Sequence, residues 1–149
     1  IGYNYRMTNI QAAIATAQLE QIDKIKSRKD HIYNFYRKKL CGFEDIVFQD
    51  IEDCCAPTIW ATAVRLRKIK VKSQAVEIVS LMKKVGIECR IGFWEASEMD
   101  YASYPTCQNA KLVSTQTIVL PISTKLTDKN LEYITENLLK ILRKKSLIK

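Results

Sequence analysis

The sequence is poor in the residues that punctuate chains and bind metals. It has four glycines and three prolines in 149 residues, so long regular elements are expected rather than many turns. It has one histidine, His31, and none of its five cysteines (Cys41, Cys54, Cys55, Cys89, Cys107) forms a CxxC pair. A zinc site needs Cys and His clustered at set spacings, and no metal site is expected here. Cys54 and Cys55 are adjacent, and chain neighbours make poor disulfide partners. The cysteines therefore read as free thiols in a reducing cytoplasm. No run of about 18 apolar residues occurs, so no helix is expected to span a membrane. The opening residues lack the basic flank, apolar stretch and small-residue cleavage site of a secretory signal. Ile1 in place of an initiating methionine, and an opening that reads like the middle of a chain, lead to the expectation of a fragment or a split-gene product.

What is present describes a globular domain. Hydrophobic residues make up 47% and charged residues 27%, and a chain of this length buries a core without staples. The net charge is +8. Basic balance of this size suits nucleic acid, an anionic membrane or an anionic substrate. The lysines are dispersed, however, with one small cluster at Arg143, Lys144 and Lys145, and no nucleic-acid-binding motif accompanies them. A solvated basic surface is expected, with no nucleic acid and no membrane as partner.

Thr8 or Asn9 can cap a helix. Ile10, Ala13, Ile14, Ala17, Leu19, Ile22 and Ile25 recur at helical spacing, and the pattern runs on through Ile32, Phe35, Tyr36 and Leu40 to Gly42. It predicts one very long helix, or two with a bend near Asp23. Its small-residue start suggests close contact with another domain or subunit. A short strand is expected at residues 46–48 and a longer one within 59–67, with Trp60 in the core of a small sheet. Ser73 is the expected cap of a helix with Val76, Val79, Leu81, Met82 and Val85 on its apolar face, ended by Gly86. A strand at 87–91 follows, making a crossover unit. Residues 92–108 read as a loop carrying Phe93, Trp94, Tyr101 and Tyr104. A helix over 109–115, a strand at 117–120 stopped by Pro121, and a last helix capped by Thr127 and Asp128 complete the chain. Leu131, Ile134, Leu138, Ile141 and Leu142 form that last helix's apolar face. The class is α/β (a small α+β domain) with more helix than strand.

The opening Gly2-Tyr3-Asn4-Tyr5-Arg6-Met7-Thr8-Asn9-Ile10-Gln11-Ala12-Ala13-Ile14 resembles a segment of the DegT/StrS family of nucleotide-sugar aminotransferases. Gln18-Leu19-Glu20, Gly86-Ile87-Glu88-Cys89-Arg90, Thr117-Ile118-Val119-Leu120-Pro121 and Leu126-Thr127-Asp128 follow in the family's order. The resemblance covers the C-terminal portion of such an enzyme, nearest to the perosamine-synthetase type. It implies the C-terminal domain of a fold-type-I transferase dependent on pyridoxal 5'-phosphate, usually a homodimer. Residues 1–42 would form an interface helix region and 43–149 a small domain. It implies glutamate as amino donor and a keto sugar on a nucleoside diphosphate as acceptor, in the making of surface polysaccharide or O-antigen sugars.

By the same resemblance, Asn4 donates to the cofactor phosphate of the partner subunit, beside the positive end of the long helix. Arg6 anchors the donor carboxylate with its fork of donors, and Arg90 faces the nucleotide sugar. Each has a plainer reading: a helix-entry residue, a junction salt bridge, and a pairing with a neighbouring acid. Phe93-Trp94-Glu95-Ala96-Ser97 departs from the Pro and His or Gln usual in the family's loop near the substrate. Trp94 and Tyr101 can stack on a base or sugar, or pack in the core. No lysine matches a Schiff-base motif, so the chain alone is expected to be inactive. The alternative is a non-enzymatic product that acts by dimerising.

Overall fold

A computed structural model describes residues 3, 5–100 and 104–149. Helices α1 (Asn9–Leu19) and α2 (Ile22–Leu40) open the chain, followed by strands β1 (Ile46–Phe48) and β2 (Thr62–Leu66). Helix α3 (Lys72–Lys84), strand β3 (Arg90–Ile91) and a 3-10 turn at Ala96–Glu98 come next. Helix α4 (Gln108–Gln116), strand β4 (Thr117–Leu120) and helix α5 (Asp128–Lys144) close it. The mixed helix and small-sheet class read from the sequence stands.

The long helical pattern is two helices, broken at Glu20 and Gln21. Thr8 caps α1: its hydroxyl accepts from the Gln11 amide while the Gln11 side chain takes the Thr8 amide, a reciprocal capping box. Nothing in α1 is buried, so its apolar face meets no surface within the described chain. The second half of α2 differs, because Ile32, Tyr33, Tyr36 and Leu40 enter the common core.

The sheet order is β1-β2-β4-β3, and every neighbouring pair is antiparallel. Since β2 and β3 each oppose β4, they run parallel to one another. The crossover through α3 is therefore present, but β4 is slotted between its two strands. Val64, Leu66, Ile118 and Leu120 point to one face and join Ile78, Met82, Leu131, Ile134, Leu138 and Leu142 from the helices. Period two in the strands and 3.6 in the helices converge on one core.

Helix α3 starts two residues earlier than expected. Its cap is Val71, not Ser73, because the Gln74 side chain reaches back to the Lys70 and Val71 amides at 2.8 and 3.3 Å. Its buried face is Ala75, Ile78 and Met82. Val76 and Val85 are exposed, which corrects the face read from the valines. Gly86 ends the helix at φ 77°. Its amide returns to the Lys83 carbonyl and that of Ile87 to Met82, each at 3.0 Å, a Schellman closure that needs the left-handed backbone. Residues 86–89 are used in this closure and its exit, so β3 is shorter than the expected 87–91. Helix α5 closes the same way, with Ser146 at φ 55° in the glycine's place and Leu147 buried behind it.

Candidate functional site

The sheet face turned away from the core carries two arginines and two hollows. Strand register puts Val47, Arg65 and Thr117 in one cross-strand row, and Ala63, Val119 and Arg90 in the next. Paired residues share a face, so two guanidinium groups, Arg65 and Arg90, emerge on this side. Two hollows lie over it. One, of about 670 Å³, is walled by Arg65, Trp60, Phe93, Trp94, Glu95 and Val113 among others. The second, of about 430 Å³, is lined by Arg90, Glu88, Pro121 and Ser123 and shares the Trp60–Ala61 wall with the first.

Trp60 is 65% exposed, which corrects its expected place in the core. It lies before β2 begins, where no alternation directs it inward, and its ring meets Phe93 at 5.7 Å. The loop carrying Phe93 leaves the sheet at Gly92, whose amide donates to the Thr117 carbonyl at 2.7 Å. A Cβ at this position would lie 2.8 Å from that of Thr117, so only glycine permits the approach. Trp94 is exposed too, with Lys72 Nζ 3.4 Å from its ring centroid. Lys72 also donates to Glu98 Oε2 at 2.8 Å and Ser114 Oγ at 3.2 Å, tying α3, the loop and α4 together. Gln116 secures the turn ahead of Lys72: its Nε2 donates to the Arg67 and Ile69 carbonyls at 3.0 and 2.9 Å.

Of the residues singled out by sequence, Arg90 lines the second hollow. Arg6 is exposed ahead of α1 and lines neither hollow. Asn4 and Tyr101 lie outside the described residues. His31 lies at the surface of α2, its Nε2 3.0 Å from Asp128 Oδ1, which Arg28 also reaches. Arg65 and Glu95 were missed. The β2 alternation signals Arg65, since odd positions face away from Val64 and Leu66; nothing local signals Glu95.

Neither hollow is lined by a lysine, and the Gln11 amide at the head of α1 is already taken by Thr8.

The same fold occurs among solved aminotransferases. Sugar aminotransferase CalS13 from Micromonospora echinospora superposes with a TM-score of 0.76 at 19% identity, over 93% of this chain and 37% of its own. A Streptococcus pneumoniae protein solved in its PLP form gives 0.78 at 22% identity, over 93% and 36%. The chain belongs to the DegT/DnrJ/EryC1/StrS aminotransferase family, whose model matches residues 1–139. A GDP-perosamine synthase of Escherichia coli O157:H7 is 32% identical over 143 residues, covering 93% of this chain. The chain spans 37% of that relative's length.

Proposed function

We propose that the chain is the C-terminal part of a pyridoxal-phosphate-dependent aminotransferase that passes an amino group from glutamate to a keto sugar on a nucleoside diphosphate. The observation that carries this reading is the open sheet face. Arg65 and Arg90 stand beside the exposed rings of Trp60 and Phe93, a pairing suited to an anion joined to flat rings. Family membership and the likeness to a GDP-perosamine synthase support the same substrate class. The cofactor supplies the electron sink; the protein binds and orients.

In this reading the Schiff-base lysine lies outside these 149 residues, consistent with the share of the relative that the chain spans. Residues 1–42 form an interface region and 43–149 a small domain. Asn4 donates to a cofactor phosphate across a homodimer, Arg6 anchors the glutamate carboxylate, and Arg90 holds the nucleotide sugar. The enzyme works in the cytoplasm on sugars destined for surface polysaccharide. The chain alone, mixed with pyridoxal phosphate, gives no borohydride-sensitive absorbance band at the visible edge. A strong band lost on reduction overturns the division of labour. The bare apolar face of α1 favours a second reading, a dimerising partner without activity of its own. Self-association measured by sedimentation, abolished by Ile10→Lys with Ile14→Lys, tests it.

A further inference from the structure

The hollow beside Trp60 contains a carboxylate that the fold leaves unsatisfied. Glu95 is only 7% exposed and lines the cavity, yet its Oε2 has no hydrogen-bond donor among the described residues. Buried carboxylate oxygens are expensive without donors. The nearby ammonium is committed, since Lys72 Nζ serves Glu98, Ser114 and the Trp94 ring. Arg65 lines the same hollow but makes no ion pair with Glu95 among the described residues.

Two further features narrow what would satisfy Glu95. Trp60 and Phe93 leave roughly two thirds of their surface open, at 65% and 63%, so the occupant needs an apolar face to cover rings. Arg65 and Asp50 both line the hollow and offset one another in charge, and the Lys72 ammonium over the Trp94 ring is paired with Glu98, so a neutral donor can serve Glu95. A neutral O–H donor on a ring with a C–H face meets every condition.

We infer that Glu95 is a specificity-determining residue that accepts a hydroxyl of a sugar ring stacked against Trp60 and Phe93, with Arg65 facing the anionic remainder. This rests on the nucleotide-sugar reading above. It adds that the carboxylate at position 95 contributes affinity for the hexose and not for the nucleotide. An unsatisfied carboxylate maintained for a ligand burdens the empty protein, so removing it stabilises the fold while weakening the ligand.

The test compares the full chain with Glu95→Leu and Glu95→Gln, using GDP-mannose and GDP as calorimetric probes alongside thermal melts. Glu95→Leu is expected to melt at or above the parent and to bind GDP-mannose about tenfold or more weakly, the worth of a charge-assisted hydrogen bond. GDP affinity stays unchanged, and Glu95→Gln, which keeps an acceptor, falls between. Equal GDP-mannose affinity in parent and Glu95→Leu overturns the assignment while leaving the nucleotide-sugar reading intact. So does a melting point several degrees lower in both variants, which makes Glu95 a structural residue. Parent chain that binds neither probe sinks the nucleotide-sugar reading and this inference with it.

Discussion

Replacing Gln116 by Met strikes the joint that sets the aromatic loop. The side chain is 8% exposed and its Nε2 spans two carbonyls of the turn between β2 and α3, those of Arg67 and Ile69. Methionine matches its length, so little cavity or overpacking cost arises. What is lost is donation. The bond to Ile69 is buried, and an enclosed carbonyl stripped of its donor costs about 1–3 kcal/mol. The Arg67 carbonyl is only partly enclosed, and water replaces most of that loss. The sum is about 1–3 kcal/mol. With a urea slope of about 2 kcal/mol per molar, the unfolding midpoint falls by about 1 M at an unchanged slope. Gln116→Glu is worse at neutral pH, because it sets a negative acceptor against two acceptors. A midpoint shift under about 0.2 M for Met, or a Glu variant milder than Met, refutes the argument that this amide bridges the turn.

Ser146→Gly relieves a left-handed residue at the end of α5 and is expected to raise stability by about 0.5–1 kcal/mol in urea melts, less whatever the looser unfolded chain returns. Gly92→Ala drives a Cβ into Thr117 and is expected to cost about 1–3 kcal/mol and to change Trp94 fluorescence, read on the same samples. Disulfide-exchange reagent at mild alkaline pH is expected to titrate Cys41, Cys54, Cys55 and Cys107, all exposed. Cys89 stays silent until denaturant is added, since burial pushes its thiol up to about 12. Hydrogen bonds from His31 and then Arg28 hold the Asp128 carboxyl below its usual 3.8. Unfolded chain therefore takes up this proton first as pH falls. The margin of the parent over Asp128→Asn is then complete above about pH 4 and disappears on further acidification, measured by urea midpoints along a pH series.

Periodicity carried most of the fold into view. The strands at 46–48 and 117–120 and the cap at Thr127 follow from alternation, Pro121 and a hydroxyl before an acid. The α3 face was misplaced because its valines are conspicuous while Ala75 is not, and because Gln74 outcompetes Ser73 for the cap through a side-chain hydrogen bond that spacing does not announce. Partial alternation over 59–67 counts Trp60 into the strand and the core, whereas the strand begins at Thr62 and leaves Trp60 ahead of it. Arg90 was found through a motif. Glu95 was invisible, since its burial depends on Gly92, α4 and the Lys72 tether, all remote in sequence or dependent on tertiary contact.

Helix α1 has eleven residues, none of them buried among the described residues, whereas isolated helices below about 12–15 residues are marginal in water. Its backbone amides should therefore exchange with solvent nearly as fast as those of a loop, while α5 amides exchange only by global opening. Whatever surface comes to cover Ile10 and Ile14 would also set the fraction of time for which this segment is coiled. Far-ultraviolet ellipticity of the chain thus becomes a direct gauge of that association, rising as the partner is titrated in.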